Sequence, residues 1–238
     1  MSANYDPQYI KELFNGMSKT YERVNFITSF GFSIRWRRQF LNSIPRTNEK
    51  IEIIDLMTGM GETWGGLRKN FPNSRISALD FSDGMLEYAN AKNRRSFRNE
   101  IQVIHENVLE NRLEANHYDI VISAFGLKTF DRGQMEILAQ ETKRILKPGG
   151  RYSYIEVSSP KNFLLYFLYK IHLKYVVPFF GRLILGNPTQ YKMLWKYTES
   201  FQNSDSIARI FESAGLDVER KTYFGGCATG ITGRKAVA

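Results

Sequence analysis

The sequence predicts an α/β protein: a seven-stranded, mostly parallel sheet with helices on both faces and an antiparallel hairpin near the C-terminus. Three observations lead to this prediction. Short apolar runs alternate with stretches of helix length through residues 51–157, as in parallel strands joined by right-handed crossovers. Glycines and prolines separate these elements, as turns require. The last two apolar runs flank Gly225 and Gly226, which predicts a hairpin.

The predicted strands share apolar, often β-branched residues, a composition that suits burial on both faces of a sheet. In chain order they cover residues 51–57, 75–80, 101–105, 118–124, 151–157, 217–223 and 227–232. The predicted helices are amphipathic, begin near capping residues such as Ser82 and end at breakers such as Pro72. They cover residues 62–71, 82–95, 134–146 and 206–214.

The 238 residues suffice for one hydrophobic core, so we expect a single domain over residues 1–238. Residues 1–45 have helical spacing and are followed by a polar run. The alternating strands and helices fill residues 46–158. Residues 159–203 interrupt the alternation with aromatic, basic sequence that we expect to be helical, and residues 204–238 hold the last helix and the hairpin.

The composition indicates a globular protein of a reducing compartment. Cys227 is the only cysteine of the sequence, which excludes an intrachain disulfide and favours the cytoplasm. The N-terminal residues lack the basic flank and apolar core of a secretory signal. The formal net charge of +9 first indicates a nucleic acid or an anionic membrane as a partner.

A glycine-containing turn follows the first predicted strand. Residues 55–62 read Asp-Leu-Met-Thr-Gly-Met-Gly-Glu, and Gly59 and Gly61 allow a tight turn that a ligand can approach closely. The second predicted strand ends at Asp80, where a carboxylate can accept hydrogen bonds from both hydroxyls of a ribose. The pattern predicts a site for a nucleoside-containing cofactor, although a plain strand-to-helix turn would also use the two glycines.

The charge of this turn distinguishes between cofactors. A dinucleotide places its pyrophosphate on the helix N-terminus and requires a third small residue in the turn. Here Glu62 begins the helix, and Trp64 occupies the position of that small residue. S-adenosylmethionine (SAM) carries no phosphate and has a sulfonium cation, which acidic surroundings favour. The sequence therefore favours SAM over NAD.

Several further motifs occur together in one known family. They are residues 21–25, 29–31 and 36–38 before the first strand, 79–86 at the second, 124–127 at the fourth, 146–151 and 156–160 around the fifth, and the Gly225-Gly226 pair. On these motifs the chain resembles the ubiquinone/menaquinone biosynthesis C-methyltransferase family over nearly its whole length. The resemblance implies a Rossmann-like, class I SAM-dependent methyltransferase with an N-terminal lid, a cofactor-binding core and a substrate-side insertion.

The resemblance also implies roles for individual residues. The cofactor would be held by residues of the lid and of the strand ends, namely Tyr21, Gly59, Met60, Gly61, Asp80, Phe81, Met85, Asn107, Val108, Ala124 and Phe125. Of these, Asp80 would bind the ribose and Tyr21 would fold over the cofactor. The acceptor would lie near Asn25, Lys128, Tyr191 and Trp195. No metal is expected.

The chain departs from the family pattern at positions that face the substrate. Lys128 and Thr129 replace an Arg-Asn pair, Ala124 stands where serine is common, and the last strand has Gly230-Ile231-Thr232 without the usual histidine. Met57 and Met60 replace smaller residues of the turn. These differences leave the acceptor open: a quinone or another small aromatic, with a ring carbon favoured over oxygen or nitrogen.

The catalytic groups are few. Methyl transfer needs positioning and desolvation more than covalent catalysis. At most we expect a cation that stabilises a phenolate or a base that accepts a proton. Lys128 and His172 are the candidates, ahead of His105 and His117. A solvated loop lysine explains Lys128 equally well, and an acceptor that binds already ionised would need no base.

The residues between Glu156 and Glu199 include no acid, and residues 163–197 hold ten aromatic side chains. Three interpretations remain: a lid over an apolar ligand, a peripheral membrane contact, or a plain packed helix pair. Bulky aliphatic neighbours argue against a nucleic-acid stacking platform. Methylation of RNA or protein, a non-catalytic SAM-binding role and a homodimer also stay open.

Overall fold

The computed structural model describes residues 5–18, 29, 31–179, 182 and 189–237, without the side chains of residues 189–192 and 194. Seven strands form one sheet. They are β1 (Glu52–Leu56), β2 (Arg75–Asp80), β3 (Ile101–His105), β4 (Tyr118–Ala124), β5 (Leu146–Val157), β6 (Leu216–Tyr223) and β7 (Ala228–Lys235). Their spatial order is β3-β2-β1-β4-β5-β7-β6. The first five are parallel, whereas β7 runs antiparallel to both β5 and β6. The predicted fold class is confirmed.

The helices flank this sheet on both faces. They are α1 (Pro7–Met17), α2 (Phe32–Leu41), α3 (Trp64–Asn70), α4 (Asp83–Phe97), α5 (Arg132–Ile145), α6 (Phe163–Ile171), α7 (Thr189–Phe201) and α8 (Asp205–Ser213). A π-helical turn, His172–Val176, continues α6, and short 3-10 turns cover Leu127–Thr129 and Phe224–Gly226. Within the described residues no helix is both long and apolar enough to span a bilayer.

Local sequence explains where the helices begin. The Ser82 hydroxyl accepts from the Met85 amide and caps α4, as predicted. Asp131 and Gln134 form a reciprocal capping box at the start of α5, and Asn162 caps α6. Each of these side chains satisfies an amide that the first helical turn leaves without a partner.

The two faces of the sheet have separate apolar cores. On one face α5 and α8 pack over the sheet, and Leu138 and Phe211 are fully buried there. On the other face Phe40 of α2 and Trp64 of α3 are fully buried against β1 and its neighbours. Because both faces are covered, the central strands carry apolar residues at successive positions.

The predicted boundary between the α5 helix and the fifth strand was wrong. The helix ends at Ile145, and β5 begins at Leu146 instead of residue 151. Tyr118 pairs with Leu146 and Ile120 with Arg151, so residues 147–150 form an irregularity inside the strand. Leu146 is fully buried, and this burial holds the chain in the sheet before the turn at Gly149, where φ is +77°.

Candidate active site

The turn after β1 is held by hydrogen bonds around one buried carboxylate. The hydroxyls of Thr58 and Thr63 both donate to Asp55 Oδ2, and the Trp64 indole N–H donates to Thr58 Oγ1 at 2.9 Å. Gly59 and Gly61 have φ of +60° and +74°, values that glycine adopts without steric cost. The local sequence therefore fixes a rigid turn at the carboxyl end of β1.

Asp55 has a free acceptor inside this turn. The residue is 1% exposed, and its Oδ1 atom has no hydrogen-bond partner among the described residues. Burial raises the pKa of Asp55 from 3.8 to about 7, and the nearby charges of Glu62 and Asp80 act in the same direction. A buried carboxylate oxygen without a partner is costly, so this atom suits the ammonium group of a ligand.

Asp80 joins the end of β2 to the turn. Its Oδ2 accepts from the Gly59 amide at 2.8 Å and its Oδ1 from the Ser82 amide at 2.9 Å. Burial raises the pKa of Asp80, although the backbone amides of Ser82, Gly59 and Phe81 favour the ionised form. A carboxylate offers more acceptor sites than these amides occupy, so Asp80 can still accept from a ribose hydroxyl.

A cleft at the carboxyl ends of the strands brings together most of the residues implied to bind the cofactor. Its lining includes Gly59, Asp80, Phe81, Met85, Asn107, Val108, Ala124 and Phe125. Met60 and Gly61 do not line it: the Met60 amide donates to Glu62 Oε2 at 3.1 Å, and Gly61 packs against the Trp64 ring. Tyr21 lies outside the described residues. The binding roles of these residues stay predictions.

Helix α1 forms one wall of the cleft; it belongs to residues 1–45, the part of the chain for which the resemblance implied an N-terminal lid. Tyr5, Pro7, Ile10 and Phe14 contribute to the lining. The Asn15 side-chain oxygen accepts from Ser82 Oγ at 2.7 Å and from the Gly84 amide at 2.9 Å. These bonds fix the helix to the N-terminus of α4, beside Met85, one of the residues implied to hold the cofactor.

The charges of the cleft favour a cationic ligand. Among the residues that the structure describes, four acids line it, namely Asp55, Glu62, Asp80 and Glu106, against one base, Arg37. Arg37 is itself paired with Glu62, with 3.3 Å between Nη2 and Oε1. A pyrophosphate would meet net repulsion here. The residues therefore fit SAM, because the cleft holds an acidic oxygen, Asp55 Oδ1, that has no partner within the described part of the chain, and SAM carries an ammonium group.

A second, mostly apolar cavity of about 320 Å³ adjoins the cleft. Arg37 and Phe125 line both spaces, and the Arg37 guanidinium carbon lies 5.0 Å from the centre of the Phe125 ring. The other walls come from α2, from β5, from α6 with its π turn, and from the turn before β7. Apolar walls beside a polar cofactor cleft are the arrangement expected for a greasy acceptor.

One buried ion pair stands in the wall of this cavity. Lys128 Nζ lies 2.8 Å from Glu156 Oε1 and donates to the Phe125 carbonyl at 2.9 Å. The Lys128 and Glu156 side chains are 8% and 0% exposed. The ammonium group has three donors, and two of them are used by these partners. Lys128 is therefore a buried cation, and its interpretation as a solvated loop lysine was wrong.

His172, the other catalytic candidate, also lines the cavity. Its ring stacks on Tyr169, with 6.4 Å between the ring centres. Burial raises the pKa of Tyr169 well above its ordinary value and that of Cys227 to about 11, so both side chains stay neutral. His105 and His117 line neither space; they pair with Asp83 and Glu114.

Of the other residues predicted to bind the acceptor, only Trp195 has a side chain that the structure describes. Trp195 is buried beside Met17, Leu173 and Val177 and is absent from the cavity lining. Its indole ring faces Lys170 at 5.7 Å, and its binding role stays a prediction. Asn25 and the side chain of Tyr191 lie outside the described residues.

Comparisons with known proteins agree with this geometry. The chain matches the ubiE/COQ5 methyltransferase family over residues 2–235. It is 28% identical over 230 residues to the demethylmenaquinone methyltransferase of Staphylococcus aureus strain JH9, which is 96% of this chain and 93% of that protein.

Solved structures share the fold at lower identity. A SAM-dependent methyltransferase from Aquifex aeolicus has a TM-score of 0.59 and 18% identity, covering 83% of this chain and 88% of that one. Phosphoethanolamine N-methyltransferase 2 of Haemonchus contortus, in complex with S-adenosyl-L-methionine, has a TM-score of 0.65 and 14% identity. The match covers 97% of this chain and 58% of that one. At these identities the likeness shows the fold alone. With its cationic-ligand cleft and its match along nearly the whole sequence, the chain belongs to the ubiE/COQ5 methyltransferase family and is a SAM-dependent methyltransferase.

Proposed function

We propose that this enzyme methylates a ring carbon of a small, apolar, quinone-like acceptor in its reduced, phenolic form. The observation that carries the proposal is the apolar cavity of about 320 Å³, which meets the cofactor cleft at Arg37 and Phe125. The demethylmenaquinone methyltransferase of Staphylococcus aureus, at 28% identity, supports a quinone-like acceptor.

The cofactor, when bound, supplies an electrophilic methyl group. The chain's part is to hold it and to exclude water. Asp55 would bind the ammonium and Asp80 the ribose, while α1 covers the cleft. Phe125, in a left-handed conformation with φ of +69°, stands between cleft and cavity. A strained residue at this position is typical of a functional site.

Lys128 would bind the oxygen of the acceptor. A ring carbon attacks well only when the ring is electron-rich, so ionisation of a phenol to a phenolate assists the reaction. The third donor of the Lys128 ammonium can hydrogen-bond that oxygen and stabilise its charge in apolar surroundings. Glu156 would keep the Lys128 side chain in place.

A proton must leave the ring carbon after the methyl group has been added, because only its loss restores aromaticity. His172 lines the cavity, and a neutral imidazole has a ring nitrogen that can accept a proton. We assign it the role of proton acceptor. An acceptor that enters as a phenolate would still require this second proton transfer.

The test is a direct assay of methyl transfer. Purified enzyme, SAM and a short-tailed demethylnaphthoquinol are incubated without oxygen, and the product is analysed by mass spectrometry and NMR. The expected product carries one new methyl group on the ring, together with one equivalent of S-adenosylhomocysteine. An O-methyl ether, or turnover only with an amine, RNA or protein acceptor, would contradict the proposal. Binding of SAM without turnover of any acceptor would indicate a non-catalytic role.

A peripheral membrane contact belongs to the same proposal. Quinones of this kind have long apolar tails and are dissolved in lipid, so an enzyme acting on them benefits from proximity to a bilayer. The aromatic, basic segment that includes α6 is the surface on which such a contact would depend.

A further inference from the structure

Helix α6 exposes an apolar surface to solvent. None of its residues is buried, and Phe163 is 82% exposed. We define the α6 face as the exposed apolar side chains of this helix and its π turn, which are Phe163, Leu164, Phe167, Leu168, Ile171 and Tyr175. Their spacing places them along one side of the helix. A contiguous exposed apolar surface of this kind marks an interaction site.

The charges around the α6 face are positive. Lys161, Lys170 and Lys174 flank it, and the sequence has no acid between Glu156 and Glu199. Lys170 and Lys174 pair with no carboxylate among the described residues; each ammonium lies over an aromatic ring instead. An apolar stripe with basic flanks fits the interface of an anionic bilayer. Two copies of this surface would repel each other, so a second copy of the chain is the weaker fit.

The apolar cavity opens on the same surface. Leu165, Leu168 and Tyr169 of α6 line it together with Phe224. Leu168 and Phe224 are each 55% exposed, so the cavity reaches the surface between these two side chains. The inner end of the cavity meets the cofactor cleft at Arg37 and Phe125.

We propose that the α6 face lies on an anionic membrane surface, and that the acceptor passes from the bilayer into the cavity between Leu168 and Phe224. The tail of the acceptor then stays in lipid while its ring reaches Phe125. This inference rests on the proposed function for the identity of the acceptor, but the membrane contact itself can be measured without it.

The experiment measures binding of the full chain to vesicles by flotation. Vesicles of phosphatidylcholine with phosphatidylglycerol are compared with vesicles of phosphatidylcholine alone. We expect binding to the anionic vesicles, weakened by added salt because exposed charges are screened. The double variant Phe163→Ser/Phe167→Ser is expected to bind ~10-fold or more weakly, since burial of each ring is a main favourable contribution. Lys174→Glu is expected to weaken binding to the anionic vesicles only.

Matched controls lie elsewhere on the surface. Ile137 of α5 is exposed, and Ile137→Ser removes an apolar side chain outside the α6 face. Lys50 is exposed, and Lys50→Glu makes the same change of charge as Lys174→Glu. Both controls should bind vesicles like the wild type. If they weaken binding equally, or if the wild type does not bind anionic vesicles, the proposal is wrong.

Activity separates this inference from the proposed function. Phe163 and Phe167 do not line the cavity, so their double variant should methylate a tail-less quinol in solution at the wild-type rate and lose activity only on a long-tailed quinol in vesicles. Wild-type enzyme that binds vesicles but methylates neither quinol would contradict the proposed function alone. A dimer that the double variant converts to monomer, without vesicle binding, would show that a second copy covers the α6 face and would overturn the inference.

Discussion

Lys128 Nζ and Glu156 Oε1 lie 2.8 Å apart in the interior and join the turn after β4 to the end of β5. The Glu156 carboxylate also accepts from the backbone amides of Lys128 at 3.0 Å and Val157 at 2.7 Å. Both oxygens of the carboxylate therefore have partners, and the ammonium keeps one donor without a partner among the described residues. Lys128 lines the apolar cavity and Glu156 does not, so Lys128 is the group of the pair that can act on a ligand.

Replacement of Lys128 by Met should destabilise the fold. The change leaves the Glu156 charge buried without its partner, which costs ~3–5 kcal/mol. The free energy of unfolding, measured by urea titration, should fall by that amount, and the double variant Lys128→Met/Glu156→Gln should recover part of it. Lys147→Met is the matched control, because the Lys147–Asp119 pair is 39% and 30% exposed and exposed pairs contribute ~0–1 kcal/mol. Equal losses in the two single variants would contradict the burial argument.

Replacement of Lys128 by Arg separates its charge from its geometry. Arg keeps a cation opposite Glu156 but changes the position of the donors, so the fold should be retained while kcat falls. If Lys128 binds a phenolate, the loss should be larger at low pH, where the acceptor phenol is protonated and needs the most assistance. The pH profile of kcat under saturating acceptor tests this. A profile parallel to that of the wild type would restrict Lys128 to a structural role.

Replacement of Asp80 by Ala should weaken the affinity for SAM by more than tenfold, because hydrogen bonds to a charged acceptor contribute ~1.5–3 kcal/mol each. Asp80 also accepts from the Gly59 and Ser82 amides, so the turn itself is loosened. Asp80→Asn keeps an acceptor oxygen and should weaken binding less than Asp80→Ala. Isothermal titration calorimetry measures both variants; an affinity equal to that of the wild type would remove the ribose assignment.

Asp55 should make cofactor binding depend on pH. Its pKa is raised from 3.8 to about 7 in the folded chain, and the ammonium of the ligand requires the ionised form. Affinity for S-adenosylhomocysteine should therefore fall as the pH is lowered below ~7, by up to ~tenfold per pH unit, because binding must then release the Asp55 proton. Calorimetry in buffers of different ionisation enthalpy measures how many protons are released when the ligand binds.

The stability of the chain without ligand should depend on pH in the opposite direction, because it depends on the same raised pKa of Asp55. The folded state binds more protons than the unfolded state between pH 3.8 and about 7, so the contribution of Asp55 to stability is complete below this interval and is lost as the pH rises through it. Asp55→Asn is the control for both measurements, since it removes the titrating group. If this variant retains the wild-type pH dependence of ligand affinity, Asp55 does not bind the ammonium.

Gly61 should tolerate no side chain. A Cβ atom there would lie 2.5 Å from the ring of Trp64, which is fully buried, and the φ of +74° adds strain. Gly31 has nearly the same conformation, with φ of +76°, but a Cβ atom at Gly31 would meet no atom of the described residues within 4 Å, apart from its chain neighbours. Gly31→Ala should cost ~1–2 kcal/mol for the left-handed conformation alone, and Gly61→Ala clearly more. Similar losses in urea titrations would contradict the steric argument.

Much of the fold could be predicted because it depends on local sequence. The apolar runs of β2, β3 and β4 were predicted with the bounds that the structure has. Most positions of β2 and β4 are buried, and such strands carry a strong signal. The start of β5 was missed because Lys147, Pro148 and two glycines are typical of a turn. The burial of Leu146, which holds this segment in the sheet, depends on neighbours distant in sequence.

The candidate site likewise has one part that the local sequence predicts and another that depends on the tertiary structure. The sequence by itself determined the glycine turn, Asp80 and hence the choice of a cationic cofactor, because parallel strands bring their carboxyl ends to one edge. Only the tertiary structure decided that Asp55 Oδ1 has no partner among the described residues, that Asn15 joins α1 to the start of α4, that Lys128 is buried against Glu156, and that the cavity opens beside the exposed α6 face. Each of these depends on contacts between segments far apart in the chain, and burial and partnership are properties of such contacts rather than of residue order.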